Sequence, residues 1–593
     1  MVTKQRLSFF LGLYLVQMVG CTPHLIRMQT PDTEDIVKAG EPREDSVKLV
    51  GDLTSPWNTS ILRLESVALI TGLNGTGSDP MPSAQRQALI DEMQTHEVDN
   101  PNQILASPNT SLAICQAYLP PGVQKGDPID VVVRVRQRSE TSSLRGGWLM
   151  RTRLRETALL QNLIRTGKVG ALAEGPVLVD SVFEGDDDPV RETRGRVIGG
   201  GVATMTRPMG LTVNTGNHSV RTAALIGNAL NARFHTFDKG IKQGIANPTR
   251  DNFVELTLHP SYKYNVSRFI RVVQNVPVIR PGTDQTSRID LLRLKLLEPT
   301  TAELAAIQLE AIGKDSEVIL REGLEAADPE IRFYAAEALA YLDIADAADV
   351  LAVTAQNEYS FRWRALTALA AMNHVSAYDA LSDLVHADSA ETRYGAFRAL
   401  RYRNHHDPLV QGEVLGETFC YHQVPTTSEP MIHFARSRRP EVVVFGNDVR
   451  VNMQGFVFAG KQIVVKGLDD GRVKVSRFTP GQDDQVEICS PKLDELIRAI
   501  VKLGGGYADV LEAVRTAKAR EYIDARVVID AVPRPGREYF RDEFDENIAA
   551  GDEANEEEPV STVAARTAFS DSLGDQPKAE TATATDDVIP DFN

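Results

Sequence analysis

The sequence is short of positive charge and of the motifs that mark catalytic sites. Its 593 residues carry 64 Lys and Arg against 81 Asp and Glu, a formal net charge of −17. This balance argues against a nucleic-acid partner, which needs a basic surface. No serine nucleophile elbow is present, and the stretch Gly72-Leu73-Asn74-Gly75-Thr76-Gly77 lacks the Gly-Lys-Ser/Thr ending of a nucleotide-binding loop. Its glycines predict a tight turn, and we expect neither an enzyme nor a cofactor.

Histidine and cysteine are too scattered to predict a metal site. No Cys-x-x-Cys or His-x-x-x-His pair occurs, although such pairs usually anchor a zinc ion. A Cys-x-His pair alone does not complete a tetrahedral site. We therefore interpret the densest group as solvated residues; it consists of His405, His406, Asp407, Cys420, His422 and His433.

The N-terminus has the pattern of an export signal. Lys4 and Arg6 precede an apolar stretch, residues 7–19, that is too short for a comfortable membrane span. It ends in Met18-Val19-Gly20-Cys21, which resembles a bacterial lipoprotein processing site. Acyl chains on Cys21 would anchor the protein in a membrane, and Thr22, which is not acidic, favours the outer membrane. An ordinary cleaved signal with an incidental cysteine is the alternative.

Two segments lack any sustained apolar period. Residues 21–60 contain prolines among charged and polar residues and predict a tether. Residues 541–593 carry fifteen Asp and Glu against three Lys and Arg, which predicts a disordered acidic tail. We place the start of this tail at residue 533; a solvated tail and an interaction arm are the two interpretations.

Helical and strand periods alternate between these ends. Ser83 to Thr95 predicts a helix capped by Ser83, and residues 217–234 predict another with Val220 and Leu230 inside. Asp130 to Arg138 alternates between apolar and polar residues and predicts a half-buried strand, as do residues 177–182. Glycine triplets at 199–201 and 504–506 predict breaks or hinges.

A repeat occupies the middle of the chain. A template with mostly apolar residues at i, i+4, i+7, i+8 and i+11 starts at Ile331 and returns 30 residues later at Phe361 and 31 residues after that at Thr392. A worn copy starts at Thr301. Helix pairs of this kind cannot bury their apolar stripes alone, so the pattern predicts a short solenoid that resembles HEAT-like repeats. An arginine follows the first position of each full copy: Arg332, Arg362 and Arg393.

Short blocks on both sides of the repeat follow the order of a known family. The first piece carries LITGLNGTGSD at 69–79, AYLPPG at 117–122, GDPIDVVV at 126–133, SLRGG at 143–147 and GALAEGPVLV at 170–179. The second piece carries RPEVVVFGNDVR at 439–450 and LDELIRAIVKLG at 493–504. In order and wording these blocks resemble the flagellar P-ring protein, a periplasmic ring subunit that surrounds the rod.

The resemblance implies a structural role in the flagellar basal body. It implies a closed homo-oligomeric ring that encircles the rod beneath the L ring, in contact with peptidoglycan. A closed ring needs a head-to-tail interface, which we expect the two P-ring-like pieces to form. We expect the solenoid to emerge from the host without disturbing its core and to offer a surface to an unknown protein partner. The alternative is a non-flagellar envelope lipoprotein that uses the solenoid as a binding scaffold.

Candidate interface residues lie in a basic stretch of the first piece. Arg134 and Arg136 share one face of the predicted strand, Arg145 continues the stretch and Trp148 lies beside it. This face would meet acidic neighbours in a ring, the rod or the cell wall. A solvated strand face, with Trp148 in the core, is the other interpretation.

Export would place Cys115, Cys420 and Cys489 in an oxidising compartment, where one disulfide would leave one free thiol. Three pairings are open from sequence alone. We favour Cys420–Cys489, because both residues flank the second P-ring-like piece.

We therefore expect an α+β fold, in which P-ring-like α/β domains are split by an inserted α-solenoid. The predicted divisions are a signal peptide at 1–20, a tether at 21–60, P-ring-like parts at 61–285 and 413–532, the solenoid at 286–412 and the tail at 533–593.

Overall fold

The computed structural model describes residues 47–160, 163–185, 188–278 and 286–539. The predicted signal segment with Cys21 lies outside these residues, as does most of the predicted acidic tail. Helices and strands are mixed along the described chain, and the predicted α+β fold is confirmed. No helix in these ranges is long and apolar enough to cross a membrane.

The N-terminal piece alternates strands with helices. Its strands are β1 (Thr54–Trp57), β2 (Leu62–Thr71), β3 (Ser111–Leu119), β4 (Pro128–Val135), β5 (Trp148–Leu160), β6 (Leu163–Pro176), β7 (Leu178–Val179), β8 (Arg194–Ala203), β9 (Met209–Val213), β10 (His235–Asp238), β11 (Ile241–Gly244), β12 (Ala246–Arg250) and β13 (Phe253–Leu256). Its helices are α1 (Val50–Leu53), α2 (Ala84–Thr95), α3 (Pro101–Leu105), α4 (Asp180–Glu184), α5 (Pro189–Glu192), α6 (Val220–Arg233) and α7 (Val266–Asn275).

The middle of the chain is helical and the last part is mixed. The middle helices are α8 (Thr286–Leu296), α9 (Pro299–Ile312), α10 (Glu317–Leu324), α11 (Pro329–Tyr341), α12 (Ala347–Asn357), α13 (Arg362–Ala371), α14 (Val375–Leu384) and α15 (Ala390–Arg403). The C-terminal strands are β14 (Gly412–Leu415), β15 (Phe419–Val424), β16 (Met431–Phe434), β17 (Glu441–Phe445), β18 (Phe456–Ala459), β19 (Ile463–Gly467), β20 (Val473–Arg477), β21 (Gln485–Cys489) and β22 (Arg526–Ile529), with helices α16 (Leu493–Lys502) and α17 (Tyr507–Ala519).

The first sheet closes on itself. Its strand order is β4-β3-β2-β5-β6-β8-β7, and β4 also pairs with β8. On β4, Val131 and Val133 are fully buried while Val132 is 36% exposed, because successive strand residues point to opposite faces. The half-buried strand predicted here is confirmed. The strand predicted over 177–182 is only half right, since β7 ends at Val179 and α4 begins at the next residue.

Local helix signals are confirmed in outline. The Ser83 side chain caps α2 by accepting a hydrogen bond from the Arg86 N–H at 3.2 Å, and Leu230 of α6 is fully buried. Val220, predicted to lie inside α6, is 75% exposed and was misassigned. It is the first residue of the helix, where no preceding turn holds it against the core.

A second sheet, of order β1-β9-β13-β12, forms another unit with α6 and α7. Val50 and Leu53 of α1 are buried in its core, and the Val50 N–H donates to the Val276 carbonyl at 3.0 Å. The tether predicted over 21–60 is therefore wrong from residue 50 onward. The segment is too short to show a period of its own, and its strand is completed by β9, which lies far along the chain.

The solenoid buries its repeat as predicted. Ile331, Phe361 and Thr392, the first positions of the three copies, are 4%, 3% and 0% exposed. The arginine that follows each of them donates to a carbonyl at or just beyond the end of the preceding helix, where carbonyls lack partners within their own helix. These donor–acceptor pairs are Arg332 to Ala326 at 2.8 Å, Arg362 to Ala355 at 3.0 Å and Arg393 to Ala387 at 2.7 Å.

The C-terminal part holds a five-stranded sheet, β14-β15-β17-β16-β22, and a four-stranded sheet, β18-β19-β20-β21. All five residues of β17 are buried. Val443 and Phe445 on one face join the core of the solenoid, whereas Val442 and Val444 on the other join the core of the first sheet and of α17. The five-stranded sheet therefore lies between the solenoid and the closed first sheet.

The solenoid is not separate from its host. One continuous core runs from the second sheet through the repeat helices to Val443 and Phe445. The expectation that the solenoid emerges without disturbing the host core is wrong. Its first helices pack on α7 and its last helix packs on the five-stranded sheet, because both ends of the stack present apolar stripes that need covering.

The acidic tail also starts later than predicted. After β22 the chain runs along the solenoid, where Tyr539 stacks on Phe361 with ring centroids 4.7 Å apart. Arg537 pairs with Glu391 at 2.6 Å, and the Ser360 hydroxyl donates to the Glu538 carbonyl at 2.7 Å. Residues 533–539 are thus part of the folded protein.

Candidate functional site

The first joint between the N-terminal piece and the solenoid is a buried ion cluster of Arg268, Glu310 and Glu337. The Arg268 guanidinium, on α7, donates to Glu310 of α9 at 3.0 and 2.5 Å. It also pairs with Glu337 of α11 at 2.5 Å. All three side chains are at most 5% exposed. An unpaired charge at such a site is strongly unfavourable, so the three groups stabilise the joint only together.

A second arginine completes the charge balance of this joint. Arg364 of α13 pairs with Glu337 at 2.5 Å and with Glu303 at 3.1 Å. Burial alone would lower the pKa of Arg268, but the carboxylates of Glu310 and Glu337 raise it. Burial would raise the pKa of Glu337, but Arg268 and Arg364 lower it. Both groups are therefore charged at neutral pH.

Aromatic contacts give the first joint a fixed orientation. Tyr262, just before α7, stacks on Tyr341 of α11 with centroids 4.6 Å apart. The Tyr262 hydroxyl donates to Glu310 at 2.6 Å, and the Arg268 guanidinium lies 4.8 Å from the centre of the Tyr341 ring. Hydrogen bonds to a charged group are stronger than neutral ones. The N-terminal piece and the solenoid are thus held by directional contacts as well as by apolar burial.

The second joint connects α15 to the five-stranded sheet through Tyr394, Arg401 and Glu441. Glu441 of β17 accepts hydrogen bonds from the Tyr394 hydroxyl and from Arg401, both at 2.7 Å. The His433 ring stacks on Tyr394 with centroids 3.5 Å apart. The solenoid is therefore tied to the C-terminal part by polar groups on its last helix.

The histidines of this region are not solvated as predicted. His422 and His433 are 2% and 0% exposed, and Cys420 is 6% exposed. His422 on β15 and His433 on β16 both pair with Val443 of the strand between them, so they are covered by the solenoid helix that packs there. His405 is exposed. Among the described residues no group of three His, Cys, Asp or Glu is placed to hold a metal ion.

Burial keeps both histidines neutral. Desolvation lowers the pKa of His433 to about 3, with the Arg398 charge acting in the same direction. Desolvation lowers the pKa of His422 to about 4, against the opposing pull of Glu441. The His433 Nε2 accepts a hydrogen bond from the Ala531 N–H at 3.1 Å, so we assign its proton to Nδ1.

These shifts predict that acid weakens the second joint. The unfolded chain binds a proton on His433 below about pH 6.5, whereas the folded chain stays neutral down to about pH 3. Folding stability from this group is therefore complete above pH 6.5 and falls by up to about 1.4 kcal/mol per pH unit below it. His433→Asn should lower the free energy of unfolding at pH 7.5, and the loss should shrink at pH 5.5 and 4.5, as measured by urea unfolding. A loss that is constant across these pH values would contradict the assignment.

Only part of the basic stretch predicted from the sequence is exposed to solvent. Arg134 and Arg136 are exposed, and Trp148 is 45% exposed rather than in the core. Met150, on the same face of β5, is 44% exposed. Arg145 instead pairs with Glu512 of α17 at 3.7 Å and so contributes to contact between the N-terminal piece and the C-terminal part.

The expected disulfide is not formed. Cys115, Cys420 and Cys489 are free and lie on three different sheets. Burial raises the pKa of Cys115 to about 12, and that of Cys489 to about 11 with help from Glu495. The pairing of Cys420 with Cys489 is therefore wrong, because proximity to one sequence piece does not place two cysteines on one sheet.

The glycines have two different roles. Gly72 and Gly75 have φ angles of +79° and +86° and form the predicted turn. Gly199, predicted as part of a hinge, lies inside β8 with φ of +61°, and a Cβ there would lie 2.4 Å from the Arg438 carbonyl oxygen. Asp130 of β4 accepts hydrogen bonds from the N–H groups of both Gly199 and Arg438, at 2.8 and 2.9 Å. The prediction of a break or hinge is wrong at 199–201, where the glycine lets the N-terminal piece touch the C-terminal part, whereas residues 504–506 separate α16 from α17 as predicted.

The comparisons with known proteins fit this architecture. Residues 50–289 match the family model described as flagellar P-ring protein. The N-terminal piece is therefore similar to this family, and we call it the P-ring region after that similarity. Residues 304–401 match HEAT repeats, so the resemblance inferred from the sequence is confirmed for the P-ring region and for the repeat block. The second piece, residues 413–532, lies outside both matches, and its likeness to the family stays a prediction.

Relatives of the P-ring region are distant. The flagellar P-ring protein of Thermotoga maritima is 26% identical over 229 residues, which are 36% of this chain and 62% of the relative. Those of Geotalea uraniireducens and Helicobacter acinonychis are each 24% identical, over 36% and 39% of this chain and 57% and 61% of the relative. The chain therefore spans about three fifths of the length of the P-ring proteins that it matches.

No sequence pattern predicted the first joint. Arg268 lies beside the apolar stripe of α7, whereas Arg271 lies opposite it, and they are 5% and 47% exposed. The position of Arg268 at the edge of the stripe was the one sequence signal that its side chain would be buried. It did not show that Glu310 and Glu337 would meet Arg268, because both belong to other helices.

Proposed function

We propose that the protein is a structural, non-catalytic subunit of the flagellar basal-body P ring or of a close derivative. The observation that carries this proposal is the match of residues 50–289 to the P-ring family, in a region folded around its own closed sheet. The distant relatives carry the same description. The proposed location is the periplasm, where copies of the chain surround the rod beneath the L ring and contact peptidoglycan.

Ring closure requires two complementary surfaces on each subunit. We assign one of them to the exposed residues Arg134 and Arg136, at the end of β4, and the other to Trp148 and Met150 of β5. Exposed aromatic residues and arginines are enriched at the centres of protein interfaces. Arg145 is already engaged by Glu512 at 3.7 Å, so its proposed role is to hold the subunit together rather than to contact a neighbour.

The solenoid is proposed to act as a brace. It is joined to the P-ring region by the Arg268 cluster and to the C-terminal part by Glu441. Such a brace would fix the relative position of the two parts within the ring, and its outer surface would serve an additional protein. Lipidation of Cys21 would tether each subunit to the outer membrane.

The test is gold-label electron microscopy of purified basal bodies with an antibody against the solenoid. Label in a ring around the rod at the level of the cell wall is the expected result. Basal bodies from a strain that lacks the gene are the control and should stay unlabelled.

Intact, unlabelled basal bodies from cells that express the protein would overturn the flagellar role. They would favour the envelope-scaffold function, in which the solenoid is the principal binding module. Fractionation of the same cells would then show which membrane holds the protein.

A further inference from the structure

We propose that a basic cavity between the solenoid and the C-terminal part binds an anionic group, a carboxylate or a phosphate. The cavity lies between α15 and the loop after β16 and has a volume of about 170 Å³. It is independent of the flagellar role, because it can be tested on the purified protein alone. Its polar lining includes Arg398, Arg401, Tyr402, Ser437, Arg438 and Arg439.

Positive charge exceeds negative charge in this cavity. Its four arginines face one carboxylate, that of Glu441. Glu441 is already engaged by Arg401 and by the Tyr394 hydroxyl. In the part of the chain that the structure describes, Arg398, Arg438 and Arg439 have no carboxylate within 4 Å of their guanidinium groups. The cavity therefore carries an uncompensated positive charge.

Two of these arginines converge on one atom. Arg398 donates to the Tyr402 hydroxyl oxygen at 2.5 Å, and Arg438 donates to the same oxygen. A guanidinium has five N–H donors, so both groups retain donors for a ligand. Like charges this close repel each other, and an anion between them offsets the repulsion by attracting both. An oxyanion beside Tyr402 would supply that attraction.

The arginines are held in place before any ligand binds. The backbone N–H of Arg438 donates to both oxygens of Asp130, on β4, at 2.9 and 2.7 Å. Tyr264, from the P-ring region, stacks on Tyr402 with centroids 3.9 Å apart. The buried Nε of Arg401 has no hydrogen-bond partner among the described atoms. A site whose donors are positioned in advance loses less entropy on binding.

The chemistry of the lining selects the ligand class. Arginine forks match the paired oxygens of carboxylates and phosphates. Two sources could supply this group: a free small anion, or the acidic sequence after Tyr539, with fifteen Asp and Glu in residues 541–593. Pro533 lines an adjoining cavity that shares Arg398, Tyr402 and Arg438. The chain thus passes this site before its acidic part begins.

The experiment titrates inorganic phosphate into the purified full chain and into a variant that ends at Tyr539, by isothermal titration calorimetry. Trp363 lines the adjoining cavity, so its fluorescence provides a second readout. The site variants are Arg398→Met, Arg438→Met and Arg439→Met. The matched control is Arg450→Met, whose side chain is 58% exposed and paired with Asp448.

We expect saturable phosphate binding that is at least tenfold weaker in Arg398→Met and in Arg438→Met and unchanged in Arg450→Met. Phosphate binding at least tenfold tighter to the chain ending at Tyr539 would identify the acidic segment as the natural source of the anion. Equal binding to both chains would identify a free anion. The absence of saturable binding in both chains, or site variants that fold and bind phosphate like the parent, would overturn the site. Arg438 and Arg439 are exposed, so their variants should keep the parent's circular dichroism spectrum.

Discussion

Arg268→Ala is expected to lower the free energy of unfolding by about 3–5 kcal/mol, the usual cost of removing one partner from a buried ion pair. The substitution leaves Glu310 and Glu337, which are 0% and 1% exposed, without their shared counter-charge. Urea unfolding followed by tryptophan fluorescence measures the loss. Trp363 is a suitable reporter, because it lies on α13 beside Arg364, a member of the same ion network.

The matched control is Arg271→Ala, three residues further along the same helix. Arg271 pairs with Glu303 at 2.9 Å, but its side chain is 47% exposed, so the loss should stay below about 1 kcal/mol. The double variant Arg268→Met with Glu310→Gln should be more stable than Arg268→Ala, because it removes one stranded charge. Equal losses for Arg268→Ala and Arg271→Ala would show that the cluster does not stabilise the joint.

Gly199→Ala is the second large effect and should cost about 2–5 kcal/mol. A positive φ costs an alanine about 1–2 kcal/mol. The new Cβ would also lie 2.4 Å from the Arg438 carbonyl oxygen, and an overlap of this kind adds about 1–3 kcal/mol. Urea unfolding measures the total, and hydrogen exchange of β15 to β17 should rise, because the loop at Arg438 has to move.

Gly75→Ala separates the backbone cost of a positive φ from the cost of the Cβ overlap. Gly75 has a φ of +86° and nothing within 4 Å of an added Cβ, so only the backbone cost of about 1–2 kcal/mol applies. Hydrogen exchange of β15 to β17 should be unchanged in this variant. If both substitutions cost the same, the close approach of Gly199 to Arg438 does not contribute.

Predictions based on a local hydrophobic period were confirmed more often than predictions based only on where residues lie in the sequence. The strand at Val131 and Val133 and the helix capped by Ser83 were both predicted from residue spacing over about ten neighbouring residues. Both are present in the structure. The prediction of a tether over 21–60 was wrong from residue 50 onward, because α1 and β1 are too short to display a period. The strand β1 is completed by pairing with β9. The predicted Cys420–Cys489 disulfide was wrong, because the two residues belong to different sheets although both lie in the C-terminal part.

The sequence by itself determined the α+β class, the repeat helices and the likeness of the first piece to flagellar P-ring proteins. The class and the repeat depend on spacings within a few tens of residues, which the order of apolar and polar residues expresses directly. The likeness depends on the wording of short blocks such as LITGLNGTGSD at 69–79. Only the tertiary structure decided that the solenoid merges with its host, that Arg268 rather than Arg271 is buried, and that Arg398 and Arg438 meet at Tyr402. Arg268 and Glu310 are 42 residues apart, and Asp130 and Arg438 are 308 apart. Contacts over such distances arise when separate elements pack, and no local pattern records which partner each side chain will find.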